Sequence, residues 1–178
     1  MNRKEIVFWS NRYNKEEDPH NKGLEEELRN KFQKNKLVSK SDLIKIIKWK
    51  FQGRLRGRQK IILNLLTPVK DSFIKEKSSS ALKIKDDEKR LNLLSSIRGV
   101  GNALSSVILA FYDPNNYGIL DIHAWRALFS EEPKDLFSNR KNAIKFFNKL
   151  RKISFIVGLS CRDIEKALFK KDLEKSKI

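Results

Sequence analysis

Apolar residues recur along this chain at three- and four-residue intervals, and no stretch alternates with the two-residue period of a strand. Ile6, Val7, Phe8, Trp9 and Tyr13 predict a short helix within 2–15, ended by Glu16-Glu17-Asp18-Pro19. Leu24, Leu28 and Phe32 predict an amphipathic helix over 23–33. A third helix, opened by Ser39 or Ser41, carries Leu43, Ile46, Ile47 and Phe51 with lysines on its far side. Gln59 to Leu66 is a fourth; Thr67-Pro68 restarts the chain, and Ser78-Ser79-Ser80 reads as a flexible break. Asp86-Asp87-Glu88 suits the N-terminus of the helix bearing Leu91, Leu93 and Leu94. An apolar helix over 102–111 follows, then one opened by Asp121 and ended by Glu131-Glu132-Pro133. Ser138 is the expected cap of a helix over 139–157, with Ala143, Phe146, Phe147, Leu150, Ile153 and Ile156 inward and Gly158 as its stop. Ser160 opens a last helix over 161–170. The fold expected is all-α: one domain over 1–178, a two-lobed bundle of about 8–10 helices.

Composition narrows the class. Hydrophobic residues make up 39% of the chain and charged ones 34%, the balance of a soluble globular protein long enough to bury its own core. The single cysteine, Cys161, excludes a disulfide framework and points to a reducing compartment. One cysteine and two separated histidines cannot make an ordinary zinc site, so no metal held by side chains is expected. No apolar run approaches a membrane span, and MNRKEIVFWS lacks a signal-peptide core. An intracellular, cytoplasmic and nucleoid-associated protein without a membrane partner is expected.

Charge then points to a partner. Thirty-nine basic residues against 22 acidic ones leave a formal +17, the footprint of a nucleic-acid binder, since each neutralised phosphate releases counterions. The strongest local signal lies at Ile97-Arg98-Gly99-Val100-Gly101-Asn102. Two glycines around Val100 allow positive φ and bare backbone N–H groups, and the helix starting at Asn102 favours an anion at its N-terminus. Arg98 and Asn102 flank the glycines within reach of phosphate. Gly99-x-Gly101 is no dinucleotide fingerprint, because Leu104 stands at the third glycine position and no strand precedes it.

The stretch Leu94 to Phe129 resembles the helix-hairpin-helix DNA glycosylases of the endonuclease III and AlkA superfamily. Their hairpin reads hydrophobic-Pro-Gly-Val-Gly; Ile97 to Gly101 matches it with Arg98 in place of proline. The family's catalytic aspartate lies 18 residues beyond a position that is lysine in members with lyase activity. Here those positions hold Asp121 and Ala103, and Asp121, His123 and Arg126 continue the Asp-x-His-x-x-Arg pattern. Leu104 and Ser105 depart from the family's Thr-Ala pair.

The resemblance implies a base-excision enzyme acting on duplex DNA with a damaged or mismatched base. Breaking the N-glycosidic bond builds positive charge on the sugar, which a carboxylate stabilises while orienting water, and Asp121 is the residue for that role. Alanine at 103 implies hydrolysis without strand cleavage, and the lone cysteine excludes the family's four-cysteine iron–sulfur cluster. The family also holds a monovalent cation on hairpin carbonyls. Gln52 stands where the resembled helix supplies a wedge beside the DNA, and Arg54 lies in an arginine- and glycine-rich turn suited to phosphate. Trp125, Tyr117 and Trp49 are candidates for stacking on an extruded base, though aromatics at helical spacing also build cores. His123 and Arg126 are expected to brace the Asp121 helix. A monomer is expected, one lesion needing one pocket. The alternatives are a non-catalytic helix-hairpin-helix DNA-binding protein and a basic RNA-associated scaffold.

Overall fold

Ten α-helices and one 3₁₀ turn at Gly53–Leu55 make up the regular structure among the described residues, and no strand occurs there. The structure, a computed structural model, describes residues 1–176 apart from the side chain of Arg54. The helices are α1 (Arg3–Glu16), α2 (Pro19–Asn35), α3 (Lys40–Lys50), α4 (Arg56–Leu66) and α5 (Asp71–Lys83). They continue as α6 (Asp87–Ser95), α7 (Asn102–Tyr112), α8 (Ile122–Phe129), α9 (Arg140–Val157) and α10 (Cys161–Lys175). The all-α expectation holds.

Short polar side chains start most of these helices by accepting otherwise orphaned N–H groups. Asn2, Asp18, Asp86, Asp121 and Ser160 do so for α1, α2, α6, α8 and α10. Ser39 and Asp42 form a reciprocal capping box on α3. α4, α5 and α7 start without a side-chain cap, and of these α7 opens at a glycine, Gly101.

Three expectations need correction. Ser78-Ser79-Ser80 is not a break but lies inside α5, where the buried Ser78 hydroxyl accepts from Val38 N at 2.9 Å. A serine that finds a tertiary partner no longer competes with its own helix. Asn139, not Ser138, caps α9. Ile156 does not face inward; it is 80% exposed, because the buried stripe of Phe146, Leu150 and Val157 runs along another side of α9.

α7 forms the centre of the core. Leu104, Val107, Ile108, Leu109, Ala110 and Phe111 are all buried, as expected for a helix apolar on every side. It packs on α2, α3, α6 and α9, whereas α10 packs on α1, α8 and α9. The end of α3, the α1–α2 joint, the start of α8 and one side of α10 from Arg162 to Leu173 meet around one cleft.

Candidate active-site cleft

The cleft has a volume of about 660 Å³ and mixes aromatic walls with charge. Tyr13, Trp49 and Phe169 supply rings, Ile119 a further apolar surface, and the charged groups include Lys50, Asp121 and Glu165 in a wall where carboxylates outnumber cations. Asp121 reaches it from the N-cap of α8, where Oδ1 accepts the His123 N–H at 3.0 Å. Its other oxygen, Oδ2, lies 3.4 Å from Lys50 Nζ. Lys50 is the last residue of α3, its ammonium also donating to Leu120 O at 3.4 Å. Side-chain exposures of 11% for Lys50 and 23% for Asp121 leave both groups open to the cleft.

The chain reaches Asp121 along a tightly held path. Gly118 threads between α9 and α10, where a Cβ would meet Leu150 Cδ1 at 2.6 Å and Glu165 Cβ at 2.8 Å. Ile119 N donates to Glu165 Oε2 at 3.3 Å, and Leu120 N donates to Ser106 Oγ at 2.8 Å. Ser106 lies on α7 five residues past Gly101, roughly 7 Å along the axis. Asp121 is thereby tied, through Leu120 and Ser106, to the helix that begins at the glycine turn, although no residue of that turn lines the cleft.

In that turn Gly99 takes φ +92°, while Ile97 and Val100 are buried and anchor it. Arg98 and Gly101 are exposed. The N–H groups of Gly99, Gly101, Asn102 and Ala103 meet no acceptor among the described residues. Asn102 is 5% exposed, and its side chain donates to Phe137 O at 3.1 Å. Its amide is thus turned to the backbone of Phe137, while its backbone N–H has no acceptor among the described residues.

Of the three proposed stacking rings, only Trp49 lines the cleft, in edge contact with Phe111 at 5.4 Å. Trp125 and Tyr117 are core residues instead. Trp125 is 1% exposed and packs on Phe129 and Phe146. The Tyr117 hydroxyl donates to Asp87 at 2.6 Å and accepts from Arg90 at 2.7 Å. Burial, helped by the bond to Asp87, pushes that phenol up to about 12. Gln52 is exposed and donates to Asn21 Oδ1 at 3.0 Å, outside the cleft; the side chain of Arg54 lies outside the described residues. His123 Nδ1 lies 2.8 Å from Asp172 Oδ2, to which Arg126 Nη2 also donates at 2.8 Å. The pair ties α8 to α10. Burial would raise the Asp172 carboxyl, but the bonds from Arg126 and His123 hold it below its ordinary range.

Beneath the cleft sits a cluster of charge that periodicity could not announce. Arg162, 2% exposed, makes a two-pronged bond to Glu25 on α2 at 3.1 and 2.8 Å and also binds Glu165. Burial alone would raise the Glu25 carboxyl, yet Arg162, Lys166 and Arg29 bring it from the usual 4.5 down to about 2. Burial keeps Glu165 above its ordinary value despite Arg162. On paper Arg162 and Glu165 are ordinary charges of an amphipathic helix, and Lys50 is one lysine among several on α3. Glu25, Ile119 and Asp121, the partners that place them at the cleft, lie far off in sequence, so no local signal marks them.

Among the described residues no group of three or more His, Cys, Asp or Glu side chains is placed to hold a metal ion, and no helix is long and apolar enough to cross a membrane. No family model, curated protein or solved structure matches the chain.

Proposed function

We propose that this protein is a DNA glycosylase that takes a damaged or mismatched base from duplex DNA into the cleft and releases it with Asp121. One observation carries the reading. A cleft-exposed carboxylate is tied, through the 2.8 Å bond from Leu120 N to Ser106 Oγ, to the helix whose glycine-built start carries N–H groups without an acceptor among the described residues. The turn would hold the sugar–phosphate strand through backbone amides, and the +17 charge favours that encounter. The flipped nucleotide would lie between Trp49 and the wall formed by Tyr13 and Phe169, with its sugar towards Asp121. As the glycosidic bond breaks, the carboxylate stabilises the cationic sugar and directs water to its anomeric carbon. Ala103 supplies no amine, so the hairpin helix itself supports hydrolysis alone.

Duplexes each bearing one damaged or mismatched base, incubated with the protein and then treated with alkali, test the reading. Base release that disappears in Asp121→Asn, with duplex affinity retained, is the expected result. Duplex binding without release across a broad panel of lesions would instead define a non-catalytic DNA-binding module. Tighter, salt-sensitive binding to structured RNA would argue for an RNA-associated scaffold.

A further inference from the structure

We propose that Lys50 is a second catalytic residue, the amine that opens the strand at the abasic site left after base release. The inference rests on the base-excision reading and departs from the expectation that Ala103 implies hydrolysis alone. An abasic deoxyribose exists partly as an open-chain aldehyde, the electrophile that a lysine amine condenses with. Lys50 is placed for that reaction: its Nζ lines the same cleft and stands 3.4 Å from Asp121 Oδ2. A nucleotide presenting its C1′ to the carboxylate therefore also presents it to the amine. Lys50 is the last residue of α3, next in the chain to the buried Phe51, and its own side chain is 11% exposed. This ammonium sits on a helix terminus held against the core, unlike a lysine on a free surface. The Glu165 carboxyl also interacts with its charge.

The step balances without an added oxidant or reductant. The ammonium passes a proton to Asp121, and the neutral amine adds to C1′ of the aldehyde. Asp121 returns the proton to the departing hydroxyl, water leaves, and a protonated imine remains. The carboxylate then takes a proton from C2′. The C2′=C3′ bond forms as the C3′–O bond breaks, and the phosphate leaves with its electron pair. Water hydrolyses the imine and restores the lysine.

The test uses the full chain, a duplex containing one preformed abasic site, and sodium borohydride, which reduces an imine to a stable amine. The expected result is a covalent protein–DNA adduct that peptide mass spectrometry locates on Lys50. It should be lost in Lys50→Arg, which keeps the positive charge beside Asp121 but cannot form the imine. A second variant, Lys50→Cys, should trap no DNA until 2-bromoethylamine restores an amine at that sulfur; the native Cys161 is buried and does not compete. An adduct that persists in Lys50→Arg, that maps elsewhere, or that never forms overturns the proposal. The two readings fail separately. Asp121-dependent base release with no adduct removes Lys50 alone; an adduct on Lys50 with no release from any lesion removes base excision and leaves a strand-opening enzyme.

Discussion

Asp121 both caps a helix and lines a cleft, and substitution separates the two duties. In Asp121→Asn the amide oxygen still accepts the His123 N–H, so α8 keeps its cap, while the charge facing Lys50 is gone. Asp121→Ala removes both, and a lost cap costs about 1 kcal/mol. Chemical denaturation should therefore place Asp121→Asn near the unchanged protein and Asp121→Ala about 1 kcal/mol below it. Equal losses would mean that the ion pair, not the cap, is what stabilises this corner. The cap was legible in the sequence because its partner is two residues away. The ion pair was not, because Lys50 lies 71 residues upstream. Tyr117 and Trp125 repeat the lesson. Spacing places them near Asp121, but only three-dimensional packing decides between cleft and core, and it chose the core for both.

At the scale of elements, the turn between α6 and α7 contains two glycines with different reasons to be there. Gly99 holds φ +92°, and a Cβ there would press on Ile62 O at 3.2 Å. Gly99→Ala should destabilise the fold by roughly 1–2 kcal/mol and weaken duplex binding with it. Gly101 has φ −98°, an extended conformation open to any residue, and a Cβ would meet nothing within 4 Å. Gly101→Ala should therefore leave stability nearly unchanged while lowering duplex affinity, because the methyl would stand between a phosphate and the free N–H groups. Thermal melts paired with fluorescence-anisotropy binding check both variants; unchanged affinity in Gly101→Ala would remove the turn from the DNA interface. The turn was readable from the sequence because glycine geometry is local. The continuity of α5 was not: its three serines look like a break until Ser78 finds Val38 across 40 residues.

The whole molecule is tied together by buried charge as well as by apolar packing. Glu25 on α2, joined to Arg162 on α10, links the helices around α7 to those around α10 at the floor of the cleft. Its carboxyl ionises near 2 in the fold, against 4.5 when unconstrained, so between those values the unfolded chain binds more protons. That contribution to stability is complete above about pH 4.5 and is lost as the pH falls towards 2. Glu165 and Glu17, raised chiefly by burial, act in the opposite sense, since the folded state takes up their protons first on acidification. Glu25→Gln isolates the first effect. Near neutral pH it leaves Arg162 short of a counter-charge and should cost on the order of 3 kcal/mol. Because acid removes the same interaction from the unchanged protein, the difference between the two should shrink as denaturation is repeated from about pH 5 to about pH 3. A difference that stays constant over that range would show that Glu25 acts through shape rather than charge, and the cleft floor would then be held by packing alone.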